Sequence, residues 1–396
     1  METRKTIGFV LGRETALCAA EIFALLERGQ TSYKVEFFKP PILIISQFET
    51  IYPFGINKLG GTIKIFQVLD ININNDQLQK VLFDLEIPQT DQRINFGLSG
   101  YGKISQKFIY RIGKELKNHY LEKGLKARLV TGKSLDLSSV IVTENKLLTR
   151  GFELILIKNQ DSYILGKTIA VQDYKEYGKR DFGRPKRDDR NGLLPPKVAQ
   201  IMINLAQASK DATIYDPFCG SGTILQEALL LGYKNVFGSD ISEKQIADTR
   251  DNLAWLGASI CSINMAENHL FVADATTHRP DFLTGAIVSE GDLGKPNQKT
   301  IKEAEIEIKK LAIFYEKAIN NLIGVIFVNG VIVLAIPFFI INEKHYYLPI
   351  IDKLKGCKID NPLPKDIRVN LSPRNTLTYR RSGQFVGREI LILIRQ

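Results

Sequence analysis

One stretch limits what this chain can fold into more than any other: residues 213–223, with the sequence TIYDPFCGSGT. A short run rich in β-branched and aromatic residues ends at the acid Asp216, and two glycines, Gly220 and Gly222, mark a tight turn. An apolar-periodic segment follows from residue 224, as expected for a helix. The stretch therefore predicts a strand, a loop and a helix in direct succession.

The two glycines of this loop allow a ligand to approach the backbone closely, and the free N–H groups at the start of a helix favour electron-rich ligand atoms. A loop of this kind predicts a cofactor pocket. The dinucleotide-binding fingerprint has a third glycine where this chain has Leu225, so NAD is disfavoured. The acid-rich surroundings of Asp216 also suit a cationic ligand better than a pyrophosphate. An ordinary tight turn in an α/β domain without a nucleotide is the alternative.

The eight residues D-P-F-C-G-S-G-T at positions 216–223 resemble motif I of the amino-group methyltransferases that use S-adenosylmethionine. The resemblance implies that S-adenosylmethionine is the cofactor and that this loop forms part of its pocket. The cofactor-binding residues that it implies in the loop are Asp216, Phe218, Gly220, Ser221, Gly222 and Thr223.

Two further predicted strands end in acids. The strand after the first helix ends at Asp240, a position from which a carboxylate can accept hydrogen bonds from both ribose hydroxyls of a cofactor. The next residue, Ile241, is expected to pack on the adenine. A third strand ends at Asp274 and Ala275, and Asp274 resembles the acid of motif III that contacts adenine. A structural role at a strand end is the alternative for both acids.

The predicted strand 285–289 leads into the loop where this family places its catalytic residues. The family has Asp or Asn, two prolines and an aromatic residue there, and this chain has Glu290, Gly291, Asp292 and Leu293. The resemblance implies that the acid and a backbone carbonyl accept hydrogen bonds from an exocyclic amine while the aromatic residue stacks on the flipped base. Glu290 and Asp292 are therefore the catalytic candidates. Because the aromatic residue is absent, Phe218 and Phe182 are the candidates for stacking.

The length of 396 residues predicts two or three domains, and 44% hydrophobic residues suffice for real cores. The four cysteines and four histidines share no motif typical of a disulfide framework, a zinc site or a nucleophile paired with a base. No signal peptide is recognisable after Met1. We expect a folded cytoplasmic protein without a bound metal.

The run from residue 322 to 341 carries no charge and is long enough to span a bilayer. It contains an Asn-Gly pair and a proline, so we interpret residues 331–336 as a buried parallel strand, with a membrane span as the alternative. A long amphipathic helix is predicted at residues 302–322. A final hairpin of residues 375–379 and 388–394 is expected at the edge of the sheet.

The net charge of +10 is unevenly distributed along the chain. Residues 101–190 hold 20 Lys and Arg against 11 Asp and Glu, and residues 351–396 hold 10 against 4. The predicted cofactor region between them is not basic. A polyanion would therefore bind the middle and the C-terminal part of the chain, with ordinary solvated surfaces as the alternative.

Residues 60–170 resemble a THUMP domain, the RNA-binding module found beside several RNA-modifying activities. The resemblance includes a Gly-Gly-Thr strand, the strand F-G-L-S-G-Y at residues 96–101, a basic helix and a strand at residues 166–173. It implies recognition of the shape and the single-stranded end of a folded tRNA. Candidate phosphate contacts, with solvated side chains as the alternative, are Lys103, Lys107, Lys114, Lys117, Arg128 and Lys133.

Residues 174–192 are charged and punctuated by glycine and proline, which predicts an irregular domain linker. The paired prolines at 195 and 196 predict the opening of a helix. In the tRNA guanosine methyltransferases that carry a THUMP domain, a basic stretch of this kind precedes such a helix near the cofactor loop. The resemblance thus adds four residues that could grip substrate phosphates: Arg180, Arg184, Lys186 and Arg187.

Together these features predict a protein of the α/β class. Its expected parts are an α+β, ferredoxin-like N-terminal domain at 1–59, a THUMP-like α+β RNA-binding domain at 60–173, the basic linker 174–192 and a Rossmann-type methyltransferase domain at 193–396. The last is expected to contain a doubly wound sheet with a C-terminal antiparallel hairpin.

The resemblance implies transfer of a methyl group from S-adenosylmethionine to an exocyclic amine, N2 of a guanosine in tRNA. The alternatives are methylation of rRNA or DNA, and an RNA-binding protein with a cofactor pocket but a weak or inactive catalytic loop. The expected partner is tRNA or another structured RNA, with no membrane. The chain is expected to be a monomer, and an activating protein partner is left open.

Overall fold

A computed structural model describes residues 5–47, 55–87, 92–187, 193–259, 269–295, 300–381 and 383–396. Residues 188–192 of the predicted linker and Cys261 lie outside this part. The chain divides into two compact units. The first unit contains Met1–Arg13, Thr31–Asn57 and Thr62–Tyr174, and the second contains Glu14–Gln30, Lys58–Gly61 and Lys175–Gln396.

The helices and strands are numbered in chain order. The strands are β1 Lys5–Leu11, β2 Tyr33–Lys39, β3 Ile42–Gln47, β4 Thr62–Asn74, β5 Ile94–Tyr101, β6 Ala127–Val130, β7 Gly151–Asn159, β8 Ser162–Val171, β9 Ile214–Asp216, β10 Val236–Asp240, β11 Leu270–Val272, β12 Thr284–Glu290, β13 Ile326–Ile341, β14 Lys344–Tyr347, β15 Cys357–Ile359, β16 Leu377–Tyr379 and β17 Val386–Arg395. The helices are α1 Thr15–Arg28, α2 Leu78–Phe83, α3 Gln106–Glu122, α4 Ser139–Glu144, α5 Tyr174–Phe182, α6 Pro196–Leu205, α7 Thr223–Leu230, α8 Glu243–Ser259 and α9 Ile301–Leu322.

The first unit contains one mixed sheet with the strand order β2-β3-β1-β4-β8-β7-β5-β6. Helix α3 packs on this sheet through Ile112, Leu116 and Tyr120. These residues share a core with Phe96 of β5 and Phe152 of β7. The basic residues of α3 point away from that core because the apolar positions recur at helical spacing.

The second unit contains a sheet with the order β11-β10-β9-β12-β13-β17-β15. Strands β11, β10, β9, β12 and β13 pair in parallel, whereas β17 pairs antiparallel with β13 and with β16. Alternate residues of β13 enter two cores: Val333 packs with α6 and α7 residues on one face, and Leu334 packs with α9 residues on the other. The predicted doubly wound sheet with its C-terminal antiparallel hairpin is confirmed.

The order of these strands reverses where β9 lies beside β12. A sheet of this kind binds ligands outside the carboxyl ends of its strands at that point. The residues that follow β9, β10 and β12 therefore face one crevice.

Helix α1 belongs to the second unit, where Leu17 packs in one core with Met202 of α6. Glu21 of α1 is fully buried and accepts hydrogen bonds from the backbone N–H groups of Gly60 and Gly61 and from the Asn204 side chain. Burial raises the pKa of Glu21 to about 7. The domain borders predicted at residues 59 and 192 stay predictions. The division into two compact units does not test them, because one unit can contain elements from both sides of a border.

Two predictions about the chain course are resolved by the structure. The charge-free run 322–341 contains the end of α9 and the buried strand β13, and the described part of the chain has no helix long and apolar enough to cross a membrane. The expectation of an irregular linker from residue 174 is wrong for its first half, because residues Tyr174–Phe182 form α5. Tyr177 and Arg180 are buried on one side of this helix, at the i, i+3 spacing of a helical face.

Candidate active site

The loop between β9 and α7 is shaped by two glycines. Gly220 and Gly222 have φ angles of +51° and +84°, in the left-handed region that other residues rarely adopt. A Cβ atom at Gly222 would lie 2.9 Å from Cγ2 of Thr249, whereas a Cβ at Gly220 would meet nothing within 4 Å. Gly222 therefore allows close packing on α8, and Gly220 leaves open space in front of the loop.

Asp240, at the end of β10, ties this loop to the neighbouring strand. One carboxylate oxygen accepts a hydrogen bond from the backbone N–H of Gly220 at 3.0 Å, and the other accepts one from the N–H of Ser242, also at 3.0 Å. A carboxylate oxygen has more than one lone pair, so each oxygen retains capacity to accept a hydrogen bond from a ligand.

A cavity of about 630 Å³ opens in front of the three strand ends. It is lined by nearly all the residues predicted for the cofactor and for catalysis: Asp216, Phe218, Gly220, Ser221, Thr223, Asp240, Ile241, Asp274, Ala275, Glu290 and Asp292. The exception is Gly222, which lies against Thr249. Sequence elements far apart in the chain therefore meet at one site.

Five carboxyl groups among these residues give the cavity an acidic lining. Asp216 is 1% exposed and accepts hydrogen bonds from the Ser289 hydroxyl and from the N–H of Phe218. Burial raises the pKa of Asp216 to about 7, and these two hydrogen bonds oppose the rise. Such a lining favours a cationic group over a phosphate.

The catalytic candidate Glu290 is held by an arginine from β17. Both carboxylate oxygens of Glu290 bind the Arg388 guanidinium, through Nε and Nη2. Burial raises the pKa of Glu290, and the charge of Arg388 opposes that rise. A bidentate pair of this kind fixes the orientation of the carboxylate and occupies part of its acceptor capacity.

The following residues are held by helix α9. The Tyr315 hydroxyl donates a hydrogen bond to the backbone carbonyl of Asp292 at 2.8 Å. The Asp292 side chain is exposed and accepts a hydrogen bond from the N–H of Gly294 at 2.8 Å. The backbone of the loop is thus fixed from two sides.

The aromatic residues of the cavity are Phe218 and Phe314. Their ring centroids lie 5.5 Å apart with an angle of 52° between the ring planes. Phe182, the other candidate for stacking, is 68% exposed and is not among the lining residues. Phe218 therefore remains a candidate, and Phe182 does not.

Among the residues that sequence reasoning missed are Phe314, which lines the cavity, and Tyr315 and Arg388, which hold the catalytic loop. Phe314 and Tyr315 lie within an amphipathic helix whose pattern indicates only a buried face. Arg388 interrupts the apolar run of β17, and a charged residue inside a buried strand is the signal that could have pointed to a buried carboxylate partner.

Two of the predicted RNA-binding arginines are buried in the second unit. Arg180 is 9% exposed and forms an ion pair with Glu227 of α7, and Arg184 is 3% exposed and donates to the Thr223 hydroxyl at 2.6 Å. Because these side chains have almost no exposed surface, the phosphate contacts predicted for them are not retained. They instead bind residues of α7, the helix that follows the cofactor loop, and stabilise its position.

The other two basic residues of this stretch lie nearer the surface. The Lys186 ammonium lies 3.3 Å from the Asp251 carboxylate, and the Lys186 backbone exchanges hydrogen bonds with the Asn252 side chain. The Arg187 guanidinium lies 5.2 Å from the centroid of the Phe182 ring. Both stay predictions as RNA contacts.

The six basic candidates of the first unit lie on and around α3. All are exposed except Lys117, which is half-buried. The Lys114 ammonium lies 4.7 Å from the centroid of the exposed Tyr110 ring. In the described part of the chain, none of the six forms an ion pair with a carboxylate, so their charge is available to a polyanion. The residues are Lys103, Lys107, Lys114, Lys117, Arg128 and Lys133.

Residues 184–273 match the family of RMKL-like methyltransferase domains. The match begins at Arg184 and covers the glycine loop, Asp240 and the strand β11. This part of the chain is therefore similar to RMKL-like methyltransferase domains.

Relatives of this chain carry names that specify tRNA. A tRNA (guanine(10)-N2)-dimethyltransferase of Methanothermobacter thermautotrophicus is 30% identical over 189 residues, which are 46% of this chain and 50% of the relative. One of the same name from Pyrococcus abyssi is 39% identical over 85 residues, 22% of this chain and 23% of the relative. The chain thus spans half or less of the length of these relatives.

Solved structures share the fold of the whole chain. TrmN from Thermus thermophilus aligns over 100% of both chains with a TM-score of 0.57 and 14% identity. SMU.472, crystallised in complex with SAH, aligns over 100% of this chain and 99% of its own with a TM-score of 0.51 and 13% identity. At this level of identity the likeness shows the fold alone.

Proposed function

We propose that this chain transfers a methyl group from S-adenosylmethionine to an exocyclic amine of RNA, namely N2 of a guanosine in tRNA. The observation that carries the proposal is that Asp240 and Glu290, from the ends of two different strands, line one acidic cavity beside the glycine loop. The names of the tRNA methyltransferases to which part of this chain is similar support the substrate.

The acidic lining and the open space of the cavity support S-adenosylmethionine as the cofactor. The open space at Gly220 leaves room for a ligand against the backbone, and Asp240 retains acceptor capacity for ribose hydroxyls. Asp274 lines the same cavity at the next strand end, where one of its oxygens accepts hydrogen bonds from the Thr276 N–H and hydroxyl, and we assign it to the adenine. When bound, the cofactor supplies a methyl group on a positively charged sulfur.

The loop after β12 would hold the amine. A guanine amine is a poor nucleophile because its lone pair is delocalised, so correct orientation provides much of the rate. The Glu290 carboxylate, fixed by Arg388, accepts a hydrogen bond from one N–H of the amine with its remaining lone pairs. It also stabilises the positive charge that develops on the nitrogen, which then releases a proton to solvent water.

The lysines around α3 support the RNA part of the proposal. Exposed cations without carboxylate partners bind phosphates with an affinity that falls steeply as salt increases. We include Lys186 and Arg187 as further contacts. The monomeric state and a cytoplasmic location belong to the same proposal.

The proposal is tested with purified protein, S-adenosylmethionine and tRNA that lacks modifications. Mass spectrometry of the digested nucleosides should detect N2-methylated guanosine, and Glu290→Ala should abolish its formation while tRNA affinity stays unchanged. Asp281→Ala, outside the cavity lining, is the matched control. Absence of any methylated nucleoside, with tRNA and cofactor both shown to bind, would refute the proposal.

One observation favours a second function, an RNA-binding protein that retains a cofactor pocket but has an inactive loop. The bidentate pair with Arg388 engages both oxygens of Glu290, which leaves fewer lone pairs for an amine. The same experiment separates the two functions, because this one requires binding of tRNA and cofactor without methyl transfer.

A further inference from the structure

Helix α9 places two consecutive aromatic residues beside the catalytic loop. Phe314 lines the cavity, and Tyr315 is fully buried behind the loop. Their rings contact each other edge to face, with 5.0 Å between the centroids. The helix is long and capped at its start by a capping box at Thr300 and Glu303, so it is a rigid support for both side chains.

Tyr315 and Gly291 fit each other closely. A Cβ atom at Gly291 would lie 2.6 Å from the Tyr315 hydroxyl oxygen and 2.8 Å from Cε1 of its ring. Any side chain at position 291, proline included, would therefore overlap Tyr315. The absence of a side chain there allows the Tyr315 hydroxyl to reach the carbonyl of the next residue, Asp292.

This arrangement replaces the rigidity that a proline would give the loop. A proline restricts its own φ and the backbone conformation of the residue before it. Here a buried hydroxyl fixes the peptide between Asp292 and Leu293 through its oxygen, from a side chain with only two rotatable bonds before its ring. The loop is restrained by a tertiary contact instead of by its own sequence.

Phe314 offers an aromatic ring to the cavity from outside the cofactor loop. The loop residue at the usual place is Leu293, which has no aromatic face, while Phe314 belongs to the same cavity lining as Glu290. Phe218 belongs to the cofactor loop itself, between β9 and α7. The tilt of 52° between the Phe218 and Phe314 rings means that one base cannot lie flat on both.

We propose that α9 supplies what the loop 290–294 lacks: Phe314 is the surface on which the target purine base stacks, and Tyr315 is the positioning residue that fixes the loop. The inference rests on the proposed function, because a stacked base presupposes a nucleic-acid substrate.

The stacking role is tested by Phe314→Ala in single-turnover and steady-state kinetics with tRNA. We expect kcat/KM for tRNA to fall roughly tenfold to a hundredfold, as for removal of a base-stacking aromatic residue, with unchanged affinity for S-adenosylmethionine. Phe314→Trp should restore most of the rate. The matched control is Ile313→Ala, at the exposed neighbouring position of the same helix. Unchanged kcat/KM in Phe314→Ala would overturn the stacking role.

The positioning role is tested by Tyr315→Phe, which retains the ring and removes the hydroxyl. Hydrogen exchange at the amides of residues 292–294 should become about tenfold faster, and kcat should fall while KM for the cofactor stays constant. Gly291→Ala should perturb the same amides in the wild-type background and much less in Tyr315→Ala, where the overlapping ring is absent. Exchange rates in Tyr315→Phe equal to those of the wild type would refute this role.

The two proposals fail in different ways. If the wild-type protein forms no methylated nucleoside, the proposed function is wrong, and the exchange rates still decide whether Tyr315 fixes the loop. If the wild type is active but Phe314→Ala is equally active, the function stands and the stacking role is wrong.

Discussion

The cofactor loop and the catalytic loop lie at the same edge of one sheet but are held in different ways. The cofactor loop, residues 216–223, is shaped by its own glycines and by backbone hydrogen bonds to Asp240. The catalytic loop, residues 290–294, is held by side chains that arrive from α9 and β17. A loop of the first kind is encoded locally, whereas one of the second kind depends on the fold around it.

The largest effect confined to the catalytic loop is expected from substitution of Arg388, the partner of Glu290. Arg388→Met leaves Glu290 buried without its partner, and we expect a loss of about 3–5 kcal/mol in the free energy of unfolding at pH 8. The pKa of Glu290 is already raised by burial and would rise further without Arg388. An acid with a raised folded-state pKa destabilises the fold as pH rises, so the loss should shrink at pH 5.

Urea unfolding at the two pH values measures this effect. The double variant Glu290→Gln and Arg388→Met should recover part of the stability and lose the part of the pH dependence that is due to Glu290, because position 290 no longer carries a carboxyl group. An equal loss for Arg388→Met at both pH values would contradict the ion-pair explanation.

The cofactor loop should be most sensitive to substitutions that disturb its backbone conformation. Gly222→Ala combines a left-handed φ of +84° with a contact of 2.9 Å to Thr249, which together cost about 2–4 kcal/mol. Gly232→Ala is the matched control, since Gly232 has a φ of +92° and nothing within 4 Å of its Cβ position. Thermal unfolding of both variants separates the contact from the backbone strain, and identical losses would refute the contribution of Thr249.

A third variant tests the cofactor site without disturbing the catalytic loop. Asp240→Asn removes a charged acceptor, so the affinity for S-adenosylmethionine should fall about tenfold to a hundredfold in calorimetric titration. Asp251→Asn, on the exposed side of α8, is the control and should bind with the affinity of the wild type. Equal affinities of Asp240→Asn and the wild type would exclude Asp240 as a ribose contact.

The smallest expected effect concerns the contact between the two loops. Ser289 at the end of β12 donates a hydrogen bond to Asp216 at the end of β9, and its loss in Ser289→Ala should cost about 1 kcal/mol. That bond lowers the pKa of Asp216 from what burial alone would give, so its removal penalises the ionised form. Because the pKa is about 7, the loss of stability should be larger at pH 8 than at pH 5.

Ser239→Ala provides the comparison for this variant. The Ser239 hydroxyl is equally buried but pairs with the hydroxyl of Tyr215, whose pKa burial raises to about 12. Unfolding experiments should therefore find a loss that is the same at pH 5 and pH 8. A pH-independent loss in Ser289→Ala as well would mean that Asp216 does not titrate in this range.

The same contrast explains what could be predicted from the sequence. Gly222 and Asp240 could be assigned because turn geometry and a strand end are readable within a few residues of the chain. Arg388 could not be assigned to Glu290, because the pair depends on the register in which β13 lies between β12 and β17, with Glu290 opposite Ala335 and Pro337 opposite Arg388.

Helix α5 was missed for a related reason. Its charges and two nearby glycines predict an irregular segment, but buried contacts of Tyr177 and Arg180 with the rest of the second unit stabilise the helix. Tertiary packing thus overrides weak local propensity. For the same reason the sequence pattern assigns Arg180 to RNA, whereas in the structure Arg180 binds Glu227.

The membership of α1 in the second unit sets an order of events during protein synthesis. The apolar face of α1 leaves the ribosome long before α6, against which Leu17 packs beside Met202. Until then the apolar face of α1 lacks its partner surface on α6, and the Glu21 carboxylate lacks the hydrogen bond from Asn204. A fragment that starts at residue 175 would lack α1 altogether, and the exposed surface of α6 would favour its aggregation.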